Sequence, residues 1–247
     1  MNFPLRSVSG VIARRLLVNF RVSPDVLAGL LPEPFRPKLV GGAGMAGICL
    51  IRLEKVRPLG LPGSIGMASE NAAHRIAVEW NEHGKTREGV YIPRRDTDLF
   101  FNRVLGGRLF PGWSHPADFE VEDDRLRVRI TVRDHEGKMS LSVDGCLAEA
   151  LPPGSAFRSV DEASSFFRTG AVGWSPSRRP DVCEGVELCC DTWMVAPFAI
   201  SSVVSTYFDD RRLFPPGSIE FDCAMLMRDI SHEWHARGRM KTTGGYP

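Results

Sequence analysis

Lysine is scarce in this sequence. Lys38, Lys55, Lys85, Lys138 and Lys241 are the only five, and arginine supplies the rest of the 31 basic residues. Covalent chemistry through a lysine amine therefore has few candidates. No uninterrupted apolar run approaches the roughly 20 residues of a membrane-spanning helix. The apolar start of the chain is split by Arg14-Arg15 and lacks a small-residue cleavage site, so it does not read as a signal peptide. Charge imbalance is absent too. Net charge is +1, with no basic block or acidic tail, which argues against nucleic-acid and anionic-membrane partners. Six cysteines are scattered without CxxC spacing, a pattern of reduced thiols that fits a bacterial-type cytoplasm. No GxSxG elbow and no GxxxxGK loop occurs.

What is present is a strand-rich chain. Leu16–Val22, the segment from Gly47, His74–Trp80, Leu126–Val132, Met139–Val143, Val186–Val195, Ile200–Phe208 and Ile219–Met227 all carry strand patterns. Ser23-Pro24-Asp25 reads as the start of a short helix, and Ser159 as the cap of a second over VDEASSFFR. The spacing also predicts a helix over 98–110. No linker or repeat divides the chain. The expectation is one α+β domain, residues 1–247, mainly antiparallel sheet with two or three short helices.

Two motifs carry less than their spelling suggests. Gly42-x-Gly44-x-x-Gly47 has dinucleotide-fingerprint spacing, but a strand pattern follows where that site needs a helix N-terminus, so a turn is expected. His232 and His235 lack metal-site spacing and a third ligand, and structural histidines are expected, with no metal and no cofactor.

One constellation concentrates chemistry: Ser69-Glu70-Asn71, His74-Arg75, and Tyr91-Ile92-Pro93-Arg94-Arg95-Asp96. It reads either as a solvated sheet edge with surface ion pairs or as an anion-binding pocket. In a pocket, paired guanidiniums grip a carboxylate or phosphate, and a nearby carboxylate orients them or acts as a base.

The segments VNFRVSPDVLAGLLPEPF, FFRTGAVGWSPSRRP, SSVVSTYFDD and LFPPGSIEFDCAMLMRDISHEWHA resemble the acetoacetate decarboxylase superfamily, and within it the YqjF-like branch of bacterial proteins. The resemblance implies an antiparallel β barrel or double-layered sheet around a central cavity, and alone it also raises a homo-oligomer. In the decarboxylases a lysine of a "PKK" segment forms an imine with a β-keto acid. That pair falls on Arg94-Arg95, Glu70 falls close to the family glutamate, and Arg14 or Arg15 near an N-terminal arginine. A guanidinium stays protonated and does not condense with a ketone, so the imine route fails at its central step. The expected ligand is a small anionic or oxygen-rich metabolite. Arg94 and Arg95 would contact it, Glu70 would be hydrogen-bond partner or candidate base, and Arg14, Asn71, His74 and Asp96 would be further contacts. A non-covalent lyase or isomerase using Glu70 is one alternative. An interaction module, with its cavity closed by an Arg94–Glu70 pair, is another.

Overall fold

The computed structural model describes residues 7–62, 66–98 and 112–244. The helix expected over 98–110 falls almost wholly outside them. In chain order the strands are β1 (Ser7–Val22), β2 (Arg36–Pro37), β3 (Leu39–Val40), β4 (Ala43–Pro58), β5 (Met67–Glu82), β6 (Lys85–Thr97), β7 (His115–Asp123), β8 (Arg127–Asp134), β9 (Ser140–Leu147), β10 (Val172–Pro176), β11 (Val182–Cys190), β12 (Ala196–Ser205) and β13 (Ile219–Lys241). The α-helices among the described residues are α1 (Pro24–Leu30) and α2 (Val160–Arg168). Both begin where the sequence predicts, although the Ser23 side chain makes no capping hydrogen bond. Pro24 occupies the first turn of α1, and the Ser159 hydroxyl accepts the Glu162 N–H at 3.1 Å. The glycines before β4 form a turn, with Gly41 and Gly42 both at positive φ (57° and 81°). No described helix is long and apolar enough to cross a membrane.

The strands form one mainly antiparallel sheet that closes on itself twice. Strands β13, β1, β4, β5 and β6 lie side by side as a shared wall. From β6 the pairing runs through β10 and β11 back to β13, a first ring. It also runs from β6 through β7, β8, β9 and β12 to β13, a second ring. Closure leaves few free edges, as expected for a sheet this large.

Because side chains alternate along a strand, the shared wall presents one residue set to each ring. Leu16, Val18, Ile48, Leu50, Ala72 and Ile76 join Val128, Ile130, Leu141 and Phe198 in the core on the second-ring side. Leu17, Cys49, Ile51, Ala77 and Met225 face the other way, where Ala163 and Phe167 of α2 and the loop residue Phe157 pack. Among several irregularities in the wall, two reset the alternation beside the charged residues. One is a bulge between Ile12 and Arg14 against β4, and the other lies in β6 around Pro93, opposite His74–Ile76. Proline lacks the N–H that a regular ladder needs there, so its place in a bulge follows from its chemistry.

Candidate functional site

The segment 69–75 and its partner 94–97 belong to wall strands, and most of their polar side chains are buried, with Asn71, Arg94 and Arg95 half-buried. Arg14 is 3% exposed, Glu70 7%, His74 0% and Asp96 1%, which removes the reading of a solvated sheet edge. Alternation splits the constellation between the two faces.

On the second-ring side, Arg14, Arg52 and Glu70 lie side by side on β1, β4 and β5. Arg14 donates to the Glu70 carboxylate at 2.6 Å, and Arg52 stands 3.8 Å from its other oxygen. Arg14 also reaches Asp123 at 3.3 Å, which Arg228 holds at 2.6 Å. Burial raises the Glu70 pKa, with the two arginines opposing it. Arg94 faces the same side. It donates to Asp96 at 2.8 Å and to Asp134 at 2.6 Å, while Asp134 also accepts the backbone N–H groups of Lys138 and Met139. Burial pushes Asp96 up to about 6, against the pull of Arg94. His74 stacks among Tyr207 and Phe208 with Nε2 2.9 Å from the Ser205 hydroxyl, and burial, then Arg94, depresses it to about 3. The charges of this face are thus satisfied by one another. An Arg94–Glu70 pair is not among them: each has different partners.

The opposite face holds a cavity of about 130 Å³ inside the first ring. Arg15, Arg75 and Arg95 line it, with Ile51, Leu53, Ile92, Val186, Leu188 and Trp234 as apolar wall. Small residues make the space. Cys49, Ala73 and Arg95 are cross-strand neighbours on β4, β5 and β6, and Gly170, Ala171 and Gly173 lie among the lining residues. A Cβ added at Gly173 would sit 3.0 Å from Ile92 Cδ1 and 3.8 Å from an Arg95 nitrogen.

None of the three lining arginines has a carboxylate partner among the described residues. Arg75 donates to the Asn19 side chain and lies 4.8 Å from the centre of the Phe167 ring; Arg15 lies 5.3 Å from that of Trp193. The Nε atoms of all three are buried without a hydrogen-bond partner, as is one terminal nitrogen of Arg15. Burial lowers Arg75 and Arg95 to about 10 each, still protonated at neutral pH. Unpaired guanidiniums out of bulk water are costly, and an anion between them relieves that cost.

Of the residues singled out in the sequence, Arg95, Asn71 and Asp96 line the cavity, whereas Arg94, Glu70, Arg14 and His74 do not. Asn71 is occupied: its amide donates to Ser69 at 2.9 Å, and its oxygen accepts from Thr97 at 2.8 Å. Arg75, in the same polar segment, has no role assigned by the sequence. Strict alternation from Asn71 through Ala73 finds it. Between Arg14 and Arg15, which the sequence leaves open, Arg15 faces the cavity. His232 and His235 sit on β13 with different neighbours: His232 packs edge-to-face against Trp234, and His235 bonds Ser7 at 2.7 Å and Glu233 at 2.9 Å. No group of metal-ligating side chains occurs among the described residues.

The architecture matches solved structures across almost the whole chain. An acetoacetate decarboxylase-like enzyme from Sphingomonas wittichii RW1 aligns with 98% of this chain and 94% of its own, at 14% identity and a TM-score of 0.56. Acetoacetate decarboxylase from Legionella pneumophila aligns with 100% and 91%, at 12% identity and a TM-score of 0.58. The enduracididine biosynthesis enzyme MppR, solved in complex with pyruvate, aligns with 98% and 91%, at 12% identity and 0.54. At such identities the likeness establishes the acetoacetate decarboxylase-like fold. No curated protein matches the sequence. Residues 12–171, well over half of the chain, match the family model DUF2071, "Uncharacterized conserved protein (COG2071)", and the protein belongs to that family.

Proposed function

We propose that this protein binds a small anionic metabolite in the first-ring cavity, without forming an imine. The observation that carries the reading is the lining itself: Arg15, Arg75 and Arg95 line one cavity and lack carboxylate partners among the described residues. Guanidiniums are suited to this task, since their planar forks match a carboxylate or phosphate edge. MppR, on the same fold, has been solved with pyruvate bound, a small carboxylate of the expected size class.

Lysine chemistry has no foothold here. No lysine lines the cavity; Lys38 is paired with Glu88 at 2.6 Å, and the other four are exposed. Glu70, the candidate base, is engaged by Arg14 and Arg52 on the far face, so the reading is of non-covalent recognition rather than of proton abstraction by Glu70. A cytoplasmic setting accords with six cysteines that are all free.

The test is thermal unfolding in the presence of millimolar propionate, pyruvate, malonate or phosphate. At least one should raise the melting temperature of the wild type, because a ligand bound only to the folded state stabilises it by mass action. Arg95→Gln should diminish the shift. No shift with any of the four would overturn the reading.

A further inference from the structure

We infer that the ligand carries two acid groups, one at each end of a short chain, and is a compact dicarboxylate. This rests on the anion-binding reading above and names the class of anion.

Charge comes first. The cavity gathers three guanidiniums, and Asp96 is the only acidic residue among its described lining residues. Its carboxylate lies with Arg94 on the second-ring face, held at 2.8 Å, and does not compensate them. A monoanion would leave two cations uncompensated beside Ile51, Ile92, Leu188 and Trp234. A dianion halves that deficit.

Placement comes second. Arg15 is rooted on β1 and Arg95 on β6, three strand spacings apart through β4 and β5, or roughly 14 Å of sheet. Their side chains enter one cavity from opposite sides of a floor made by Cys49 and Ala73. Arg75 is rooted on β5 between them, and its guanidinium donates to the Asn19 side chain on β1. The outer guanidiniums, Arg15 on β1 and Arg95 on β6, are therefore two poles, with Arg75 rooted between them on β5, over a floor of small side chains. A single compact oxyanion satisfies one pole; a molecule with an acid at each end satisfies both.

Size comes third. A space of about 130 Å³ is close to the cavity volume that accommodates benzene, so it takes roughly six to eight non-hydrogen atoms. Malonate and succinate fall in that range, with a methylene or two to lie on the apolar wall.

The test is calorimetric titration of the full-length protein with malonate, malonamate, propionate and phosphate. Malonamate keeps the outline of malonate and replaces one carboxylate by a neutral amide, so the pair isolates the second charge. Malonate should bind about tenfold or more tighter than malonamate, the ordinary scale of a charge-assisted contact. In Arg95→Gln the two should bind alike. Equal affinity of malonate and malonamate in the wild type would overturn the two-acid inference while leaving anion binding intact. Phosphate binding tighter than malonate would overturn the two-pole geometry. Binding of none of the four would remove both the inference and the reading beneath it.

Discussion

Arg94 and Arg95 are consecutive in the chain and occupy opposite faces of the same strand. Arg94 is locked between Asp96 and Asp134 at 2.8 and 2.6 Å, and Arg95 lines the cavity with no carboxylate partner among the described residues. The two substitutions should therefore separate stability from binding. Arg94→Ala leaves the buried Asp96 and Asp134 carboxylates uncompensated, and we expect a loss of about 3–5 kcal/mol in denaturant unfolding. Arg95→Gln removes an unpaired guanidinium and should change stability by less than about 1 kcal/mol, or raise it. Equal destabilisation by both would contradict the division of faces.

Acid should destabilise the fold through two neutral histidines. His74 and His232 are held down to about 3 and about 4, burial being the main cause in each, with Arg94 and Arg15 adding to it. A group whose folded pKa is depressed contributes stability above its unfolded value of about 6.5, and that stability is lost as pH falls toward the folded value. At pH 5 the loss is roughly 2 kcal/mol for each. Asp96 opposes this. Its folded pKa is raised to about 6, so it favours the folded state as pH drops through 6 toward 4, by roughly 1 kcal/mol at pH 5. The net expectation is a lower urea midpoint at pH 5 than at pH 7.5, with His232→Gln recovering part of the difference. A midpoint independent of pH would count against the buried neutral histidines.

Borohydride reduction in the presence of pyruvate or acetoacetate should leave the protein mass unchanged, since no lysine lines the cavity. A reduced adduct on any of the five lysines would overturn the exclusion of imine chemistry.

Filling the floor should cost binding and spare the fold. Ala73 lies between Cys49 and Arg95 at the base of the cavity. Ala73→Val should weaken anion binding about tenfold or more by occupying ligand space, while adding buried apolar contact. Titration and thermal unfolding of this variant check both halves. Undiminished binding would place the ligand elsewhere.

Much of the fold is legible in the sequence because strand alternation, the Ser23-Pro24 and Ser159 helix starts and the glycine turn at 41–42 are all local signals. The length of β13 is not. Its pattern reads as a strand to Met227, yet it runs to Lys241, because residues 228–241 are largely polar on a stretch that closes the first ring against β11. The candidate site is legible as a concentration of charge on strands, and its burial and its division between faces are not. The bulge beside Arg14 and the irregularity at Pro93 reset the side-chain alternation, so Arg14 and Arg15, and Arg94 and Arg95, cannot be assigned to faces by counting from distant apolar positions. Ring closure adds the rest: Gly173, Leu188 and Trp234 reach the cavity from strands far away in sequence.

The central claim is that the anion sits on the Arg95 face and not on the Arg94 face. Titration of malonate into wild type, Arg95→Gln and Arg94→Gln, each confirmed folded by circular dichroism, tests it most directly. The account predicts a loss of about tenfold or more in affinity for Arg95→Gln and a wild-type affinity for folded Arg94→Gln. Loss of binding in Arg94→Gln with full affinity in Arg95→Gln would contradict it.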